Sequence, residues 1–304
     1  MSHTASADPD ELLDDTAERP AARGPRSRTV SEGPAAGHEV LSNPASARIS
    51  RVAGLSRRNA RTKHRRFLVE GPQGVREAIR HTPERVLDVY LTEAAVERHG
   101  EIWHEVVAAE RYVHVASEQV MDAMSTDAQG VLAVVAAAEV TGSEALATAL
   151  DGARLVAVLT QAQDPGNAGT IIRAADAAGA DAVVLVRGSV DPTAPKVVRS
   201  TAGSLFHLPV VTGVALDDAV AALHEAGLTV LAADGRGDFD LFEAESLLEA
   251  PSAWLLGNEA HGLPSEALSR ADAVVSIPIY GKAESLNVAA AAAVCLYASA
   301  RAQA

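Results

Sequence analysis

LVAVLTQAQDPGNAGTIIRAADAAGADAVVLV, residues 155–186, sets the architecture of this chain. An unbroken apolar run (Leu155 to Leu159) gives way to a Pro-Gly turn. An Ala-rich helix (Ala168 to Ala178) follows, then a second apolar run (Ala182 to Val186). Continuous apolar strands separated by helices imply a parallel sheet covered on both faces. The pattern continues towards the C-terminus. Strands are expected at Leu228 to Ala232, Ala253 to Leu256 and Ala273 to Ile277, with helices at Lys196 to Phe206, Leu216 to Ala226, Ser265 to Arg270 and Leu286 to Ala302. Ligands of such sheets lie outside the carboxyl ends of the strands.

Towards the N-terminus the alternation is repeated on a smaller scale. Phe67 to Val69, Val86 to Leu91, Tyr112 to Val115 and Val131 to Val135 are expected as strands. Gly71 to His81 and Glu93 to Ala109 are expected as helices, giving a small α/β domain with a mostly parallel sheet. Residues 1–43, rich in Ala, Pro, Gly, Ser and acidic side chains, are expected as a disordered acidic tail. The domain plan is therefore a tail (1–43), a small domain (44–138), a polar Ala-rich linker (139–152) and a larger domain (153–304).

The net charge of −14 excludes a broadly basic, nucleic-acid-coating chain. It leaves room for a local basic patch, and one is present. Arg48, Arg51, Arg57, Arg58, Arg61, Lys63, Arg65 and Arg66 fall between Ser46 and Arg66 with no acidic residue among them. Most charge runs are solvated helix faces, but such faces usually mix signs, so an unbroken single sign favours phosphate contact. The single cysteine, Cys295, excludes an intrachain disulfide framework and a Cys-clustered metal site, and reads as a small buried apolar residue. No run approaches the roughly 20 apolar residues that span a bilayer, and the acidic start is not a secretory signal. A cytoplasmic chain without membrane contact is expected.

Three segments gather polar residues where strands end. In Asp164-Pro165-Gly166-Asn167-Ala168-Gly169-Thr170-Ile171-Ile172-Arg173, Asn167 suits a helix cap. Gly169 and Arg173 share a helix face, Gly169 leaving space that Arg173 reaches over. An Arg173–Asp176 pair on a polar stripe accounts for the same spacing. In Leu255-Leu256-Gly257-Asn258-Glu259-Ala260-His261-Gly262-Leu263-Pro264, glycines at a strand end admit a ligand close to the backbone. Glu259 can there accept hydrogen bonds from a cofactor or orient Arg173; an ordinary strand-to-helix turn is the alternative. In Ile277-Pro278-Ile279-Tyr280-Gly281-Lys282-Ala283-Glu284-Ser285-Leu286-Asn287-Val288, Ser285 is expected to cap an Ala-rich helix.

In this order the segments resemble the three signature motifs of the SpoU (TrmH-type) family of RNA ribose 2′-O-methyltransferases. These run roughly N-x-G-x-x-x-R, L-G-x-E-x-x-G and I-P-x-x-G-x-x-x-S-L-N-V. Asn167, Gly169 and Arg173 match the first; Leu256, Gly257, Glu259 and Gly262 the second; Ile277, Pro278, Gly281, Ser285, Leu286, Asn287 and Val288 the third. The basic stretch followed by Val69-Glu70-Gly71, and Lys196-Val197-Val198-Arg199-Ser200, resemble the RNA-binding module and a connecting segment of two-domain members.

The resemblance implies a catalytic domain tied into a trefoil knot, a homodimer, and S-adenosylmethionine as methyl donor. It implies that Gly257, Ile277 and Leu286 hold the donor's adenosine portion, with Asn258, Ile279 and Ser285 beside them. Arg173, Asn167, Glu259, Ser285 and Asn287 would form the catalytic site, and Arg57, Arg58, Arg61, Lys63, Arg65 and Arg66 the RNA contact. An Arg side chain keeps its proton, so Arg173 is expected to orient the 2′-hydroxyl and stabilise charge rather than act as base. No metal is expected. The implied reaction is methylation of a ribose 2′-hydroxyl, with ribosomal RNA favoured over transfer RNA by the two-domain arrangement. A nicotinamide-dependent oxidoreductase is discounted because no G-x-G-x-x-G follows a strand; Gly235-Arg236-Gly237 lacks the third glycine. A non-catalytic RNA-binding protein of the same fold is the better rival, and the retained Arg173, Glu259 and Asn287 speak against it.

Overall fold

The computed structural model describes residues 39–138, 140–258 and 262–304. The first unit runs β1 (Val40–Leu41), α1 (Ala47–Gly54), α2 (Arg58–His64), β2 (Arg66–Glu70), α3 (Pro72–His81), β3 (Val86–Thr92), α4 (Glu93–Arg98), α5 (Gly100–Ala108), β4 (Tyr112–Ala116), α6 (Glu118–Met124) and β5 (Val131–Ala136). Its sheet has the order β1-β4-β3-β5-β2. The pairs β1–β4 and β3–β4 are parallel, but β5 runs antiparallel to both β3 and β2. The sheet is thus evenly mixed, not mostly parallel. Val40 and Leu41, expected within a disordered tail, pair with Val115 and Ala116; residues 1–38 of that expected tail lie outside the described residues. The helix expected over Glu93 to Ala109 is broken at His99.

One face of this sheet packs on α3, α4 and α5 through Val75, Ile79, Val96, Ile102 and Val106. The other packs on α1 and α6 through Ile49, Val52, Val120 and Met121. Ser46 starts α1 by accepting a hydrogen bond from the Ile49 N–H. Ile49 and Val52, three apart, turn inward, and Arg48 and Arg51 stay exposed.

The second unit runs α7 (Gly142–Leu150), β6 (Leu155–Leu159), α8 (Pro165–Ala177), β7 (Ala182–Leu185), α9 (Pro195–Ser200), β8 (Val210–Thr212), α10 (Leu216–Glu225), β9 (Thr229–Ala233), β10 (Phe239–Asp240), α11 (Glu245–Leu248), β11 (Ser252–Leu256), α12 (Ser265–Arg270), β12 (Ala273–Ser276) and α13 (Val288–Gln303). Its sheet is parallel throughout, in the order β10-β12-β9-β11-β6-β7-β8. Helices α8, α9, α11 and α13 cover one face, and α7, α10 and α12 the other. The segment expected as a linker contributes α7 to this unit, with Leu146 and Leu150 in its core. Cys295 is fully buried in α13, and burial pushes its thiol up to about 12. Trp254 of β11 is also fully buried and donates its indole N–H to Ser299 Oγ of α13 at 2.9 Å.

The chain leaves β6 towards β7 and β8 on one side, then returns to place β9 and β11 on the other. Such a reversal opens a crevice at the carboxyl ends of the strands. The units are joined by apolar and charged contacts. Val198 of α9 and Phe206, in a turn after it, are buried in the first unit's core; Phe206 stacks on Phe67 with ring centroids 6.4 Å apart. Arg199 bonds Glu70, and reaches Asp127 at 3.0 Å.

Candidate active site

The first motif begins with a cap that the sequence reading assigned to the wrong residue. Asp164, not Asn167, caps α8, accepting the Asn167 N–H at 2.8 Å, and Pro165 takes the first helical position. That bond, chiefly, holds the Asp164 carboxyl below the ordinary carboxylate value, with Lys196 nearby. The Asp-Pro pair was the available signal. Asn167 lies within the first turn of α8, its amide oxygen free to accept from Asn287 Nδ2 at 3.1 Å.

Gly169 does not leave space for a ligand. A Cβ there would lie 2.5 Å from Ser200 Cβ and 2.6 Å from the Val197 carbonyl oxygen, so this glycine lets α8 press against α9. Gly257 answers a similar need. Its missing Cβ would meet Gly262 C at 2.4 Å and Leu263 N at 2.6 Å. The second-motif loop folds back on itself there, and Asn258 and Gly262 exchange main-chain hydrogen bonds of 2.9 Å. Glu259 lies outside the described residues.

The three motifs meet at one edge. Strands β6 and β11 are neighbours in register, Leu159 beside Leu256, so the first and second loops emerge at one level. Thr160 locks them, its N–H and its hydroxyl each donating to the Leu256 carbonyl at 2.9 Å. Asn258 Nδ2 donates to the Gln161 carbonyl at 2.9 Å. The third loop arrives from β12 and is tied in by Asn287. This residue, not Ser285, caps α13, accepting from the Ala289 and Ala290 N–H groups while its amide NH2 reaches Asn167. Between these anchors, residues 278–286 make no main-chain hydrogen bond among the described residues. Ile279, Tyr280, Ser285 and Leu286 are exposed there, and Ile277 is half-buried.

Arg173 stands apart from this cluster. It is six residues beyond Asn167, about 9 Å along the helix. It is exposed and, among the described residues, without a hydrogen bond or ion pair. The Asp176 partner considered above is taken instead by His207, Nδ1 to Oδ2 at 2.8 Å.

Of the basic segment, Arg57, Arg58, Lys63, Arg65 and Arg66 are exposed. Arg61 differs from these in being committed to a partner within the chain. It is 6% exposed and ion-paired with Asp191 of the second unit at 2.7 Å, a buried staple between the units. A cleft of about 910 Å³ opens between the units, lined among others by Arg58, Arg65, Arg85 and Arg187. Its 188–190 wall is bonded to the first-motif loop, Gln163 Nε2 to the Gly188 carbonyl at 2.8 Å and the Val190 N–H to the Ala162 carbonyl at 2.9 Å. Burial lowers the Arg85 guanidinium from its ordinary value, with Glu84 opposing. Arg85 and Arg187 went unnoticed in the sequence because each is a lone arginine at a strand end.

A small mixed-sheet unit before a parallel-sheet unit with three converging edge loops is the architecture of the two-domain RNA methyltransferases. An S-adenosylmethionine-bound rRNA methyltransferase from Sinorhizobium meliloti superimposes with a TM-score of 0.74 at 28% identity, covering 86% of this chain and 97% of that one. The SpoU methyltransferase AviRb of Streptomyces viridochromogenes, in complex with the same cofactor, gives 0.72 at 31% identity, covering 84% and 98%. The profile of the SpoU rRNA methylase family matches residues 154–297, and that of the RNA 2′-O ribose methyltransferase substrate-binding domain matches residues 68–141. The 23S rRNA (guanosine(2553)-2′-O)-methyltransferase of Bacillus subtilis is 35% identical over 247 residues, covering 80% of this chain and 92% of that protein. The chain belongs to the SpoU rRNA methylase family.

Proposed function

We propose that the protein methylates a ribose 2′-hydroxyl of ribosomal RNA, with S-adenosylmethionine as donor. The observation that carries this is the Asn287–Asn167 bond, which draws the third motif onto the first at the strand edge where the second also emerges. The loop fits the donor. Its open peptide groups at 278–286 offer main-chain partners for an adenine edge, and exposed Ile279 and Leu286 an apolar surface for the ring. Gly257, Ile277 and Leu286 are assigned to adenosine, with Asn258, Ile279 and Ser285 beside them.

When bound, S-adenosylmethionine supplies an electrophilic methyl group. The chain's part is to align the attacking oxygen and manage its proton. Asn167, Ser285 and Asn287 position the ribose, joined by Glu259 on the strength of its motif. Arg173 orients the hydroxyl and stabilises developing negative charge, and the proton leaves to phosphate or water. RNA phosphates run through the arginine-lined cleft, where an anion would relieve the desolvated Arg85. Ribosomal RNA is preferred because the Bacillus subtilis and Streptomyces viridochromogenes relatives are named 23S rRNA 2′-O-methyltransferases; its compartment is the cytoplasm.

Two family features complete the proposal: a trefoil-knotted path for the C-terminal segment, and a homodimer packed beside α13, where Tyr297 is exposed. No helix among the described residues is long and apolar enough to cross a membrane. The test is transfer of labelled methyl from S-adenosylmethionine to 23S rRNA of a deletion strain, beside tRNA. Label in 2′-O-methylnucleosides of rRNA, reduced at least about 100-fold by Arg173→Ala with donor affinity kept, is expected. Label in tRNA alone refutes the ribosomal target, and no donor binding by folded protein refutes the activity.

A further inference from the structure

Where α3 faces α8, ligand atoms converge across the join between the two units. Glu77 and His81, one helical turn apart on α3, and His207, beyond α9, each place one ligand atom within 4.8 Å of the others. Glu77 Oε2 lies 3.2 Å from His207 Nε2 and 3.4 Å from His81 Nε2. Zinc held by imidazole nitrogen and carboxylate oxygen at about 2.0–2.2 Å requires tetrahedral ligand–ligand edges of about 3.3–3.6 Å. Both separations therefore stand within about 0.1 Å of that range before any ion is added.

Two further features mark a built site. On the far side of the His207 ring, Nδ1 lies 2.8 Å from Asp176 Oδ2 of α8. With an ion bound, a carboxylate there would hold the proton on Nδ1 and leave the Nε2 lone pair for the metal, the arrangement that orients histidine ligands in metal sites. Glu77 is seated by Gly203, where a Cβ would stand 2.4 Å from Glu77 Cγ, at a backbone φ of +105° that itself favours glycine.

We propose that Glu77, His81 and His207 bind one zinc ion, with Asp176 as the positioning residue and water at the fourth site. Two imidazoles and one carboxylate suit this borderline cation better than calcium or magnesium, which take mainly oxygen ligands. The ligands come from both units, so the ion clamps the first unit to the second. It also holds the turn of α8 that follows Arg173. The sequence reading expected no metal, because the chain offers no Cys or His cluster and His207 lies far from Glu77 and His81 along it.

The test is titration of the untagged, chelator-stripped full chain with zinc chloride against a chromophoric competitor, paired with thermal unfolding. One equivalent is expected to bind and to raise the melting temperature. His81→Ala and His207→Gln should each weaken binding by well over about tenfold, and Asp176→Asn by about 10- to 100-fold. His104→Ala, on exposed α5 surface, should leave it unchanged. His81 is 47% exposed, so its variant folds and decides the matter even if His207→Gln does not. Absence of saturable uptake, or uptake indifferent to His81→Ala, overturns the site; uptake without a change in melting overturns the clamp.

Discussion

Arg61→Ala should loosen the two units from each other at a cost set by what the guanidinium leaves behind. Arg61 Nη2 and Nε hold Asp191 Oδ2 at 2.7 and 3.2 Å, Nε also reaches Thr193 Oγ1 at 3.2 Å, and Nη1 donates to the Ser56 and Leu55 carbonyls at 2.8 and 3.2 Å. Side-chain exposures of 6% and 20% make this a largely desolvated pair. Removing one partner of such a pair costs about 3–5 kcal/mol. Asp191 keeps the Thr193 hydroxyl at 2.6 Å and its N–H at 2.9 Å, which argues for the lower end, about 3 kcal/mol. With a urea slope of about 3 kcal/mol/M for a chain this size, the midpoint at pH 7 falls by about 1 M.

The effect depends on pH in a defined direction. Burial raises the Asp191 carboxyl, but the Thr193 hydroxyl, Arg61 and the Thr193 N–H outweigh it and leave it below the ordinary value. A depressed carboxylate contributes stability that is present above its unfolded pKa and lost as pH falls through its folded pKa. The difference between wild type and Arg61→Ala is therefore full at pH 7, and shrinks once the pH drops below the ordinary carboxylate range. Urea unfolding followed by circular dichroism at neutral and acidic pH measures both. A midpoint shift under about 0.3 M at pH 7, the size of an exposed pair, or a difference that grows in acid, would refute the staple.

Gly169→Ala should lower stability by about 1–3 kcal/mol in thermal melts, since the added methyl drives α8 from the Val197 carbonyl and Ser200; an unchanged melting temperature would mean α9 yields freely. Asn287→Asp keeps the acceptor that caps α13 but loses the donor to Asn167. Calorimetry should show weaker binding of S-adenosylmethionine with stability held within about 0.5 kcal/mol, whereas Asn287→Ala loses about 1 kcal/mol as well. Equal stability in the two variants would remove the capping role. Neutralising exposed Arg57, Arg58 and Arg66 together should lower the slope of log affinity for RNA against log salt by up to about 0.7–0.9 for each phosphate they would otherwise neutralise. An unaltered slope would make them a solvated face.

The parallel sheet was legible because its interior strands are unbroken apolar runs. Leu155 to Leu159 was read to the residue. Val210–Thr212 and Phe239–Asp240 were missed, being three and two residues long with no pattern to register. Helix α1 was hidden differently: its inward Ile49 and Val52 alternate with arginines that drew attention to charge. Strand direction in the first unit could not be read, since apolar runs do not record which way the chain crosses. At the site, the motif residues were legible as a pattern, but their work was not. Gly169 and Gly257 serve the chain's own packing, and Arg61 meets a partner 130 residues away. Such roles depend on residues distant in sequence.

The burial of Val198 and Phe206 within the first unit also bears on how the protein is made. The interior that Phe67, Val69 and Val135 begin is completed only by side chains from the second unit. A nascent chain carrying β5 therefore waits for those residues to be synthesised, several seconds at about 5–20 residues per second. During that wait an apolar hollow faces solvent, a natural resting place for a chaperone. The amino-terminal half expressed by itself would keep that hollow permanently and should be prone to self-association. Dividing the gene at the apparent boundary between the units would separate a socket from its plug.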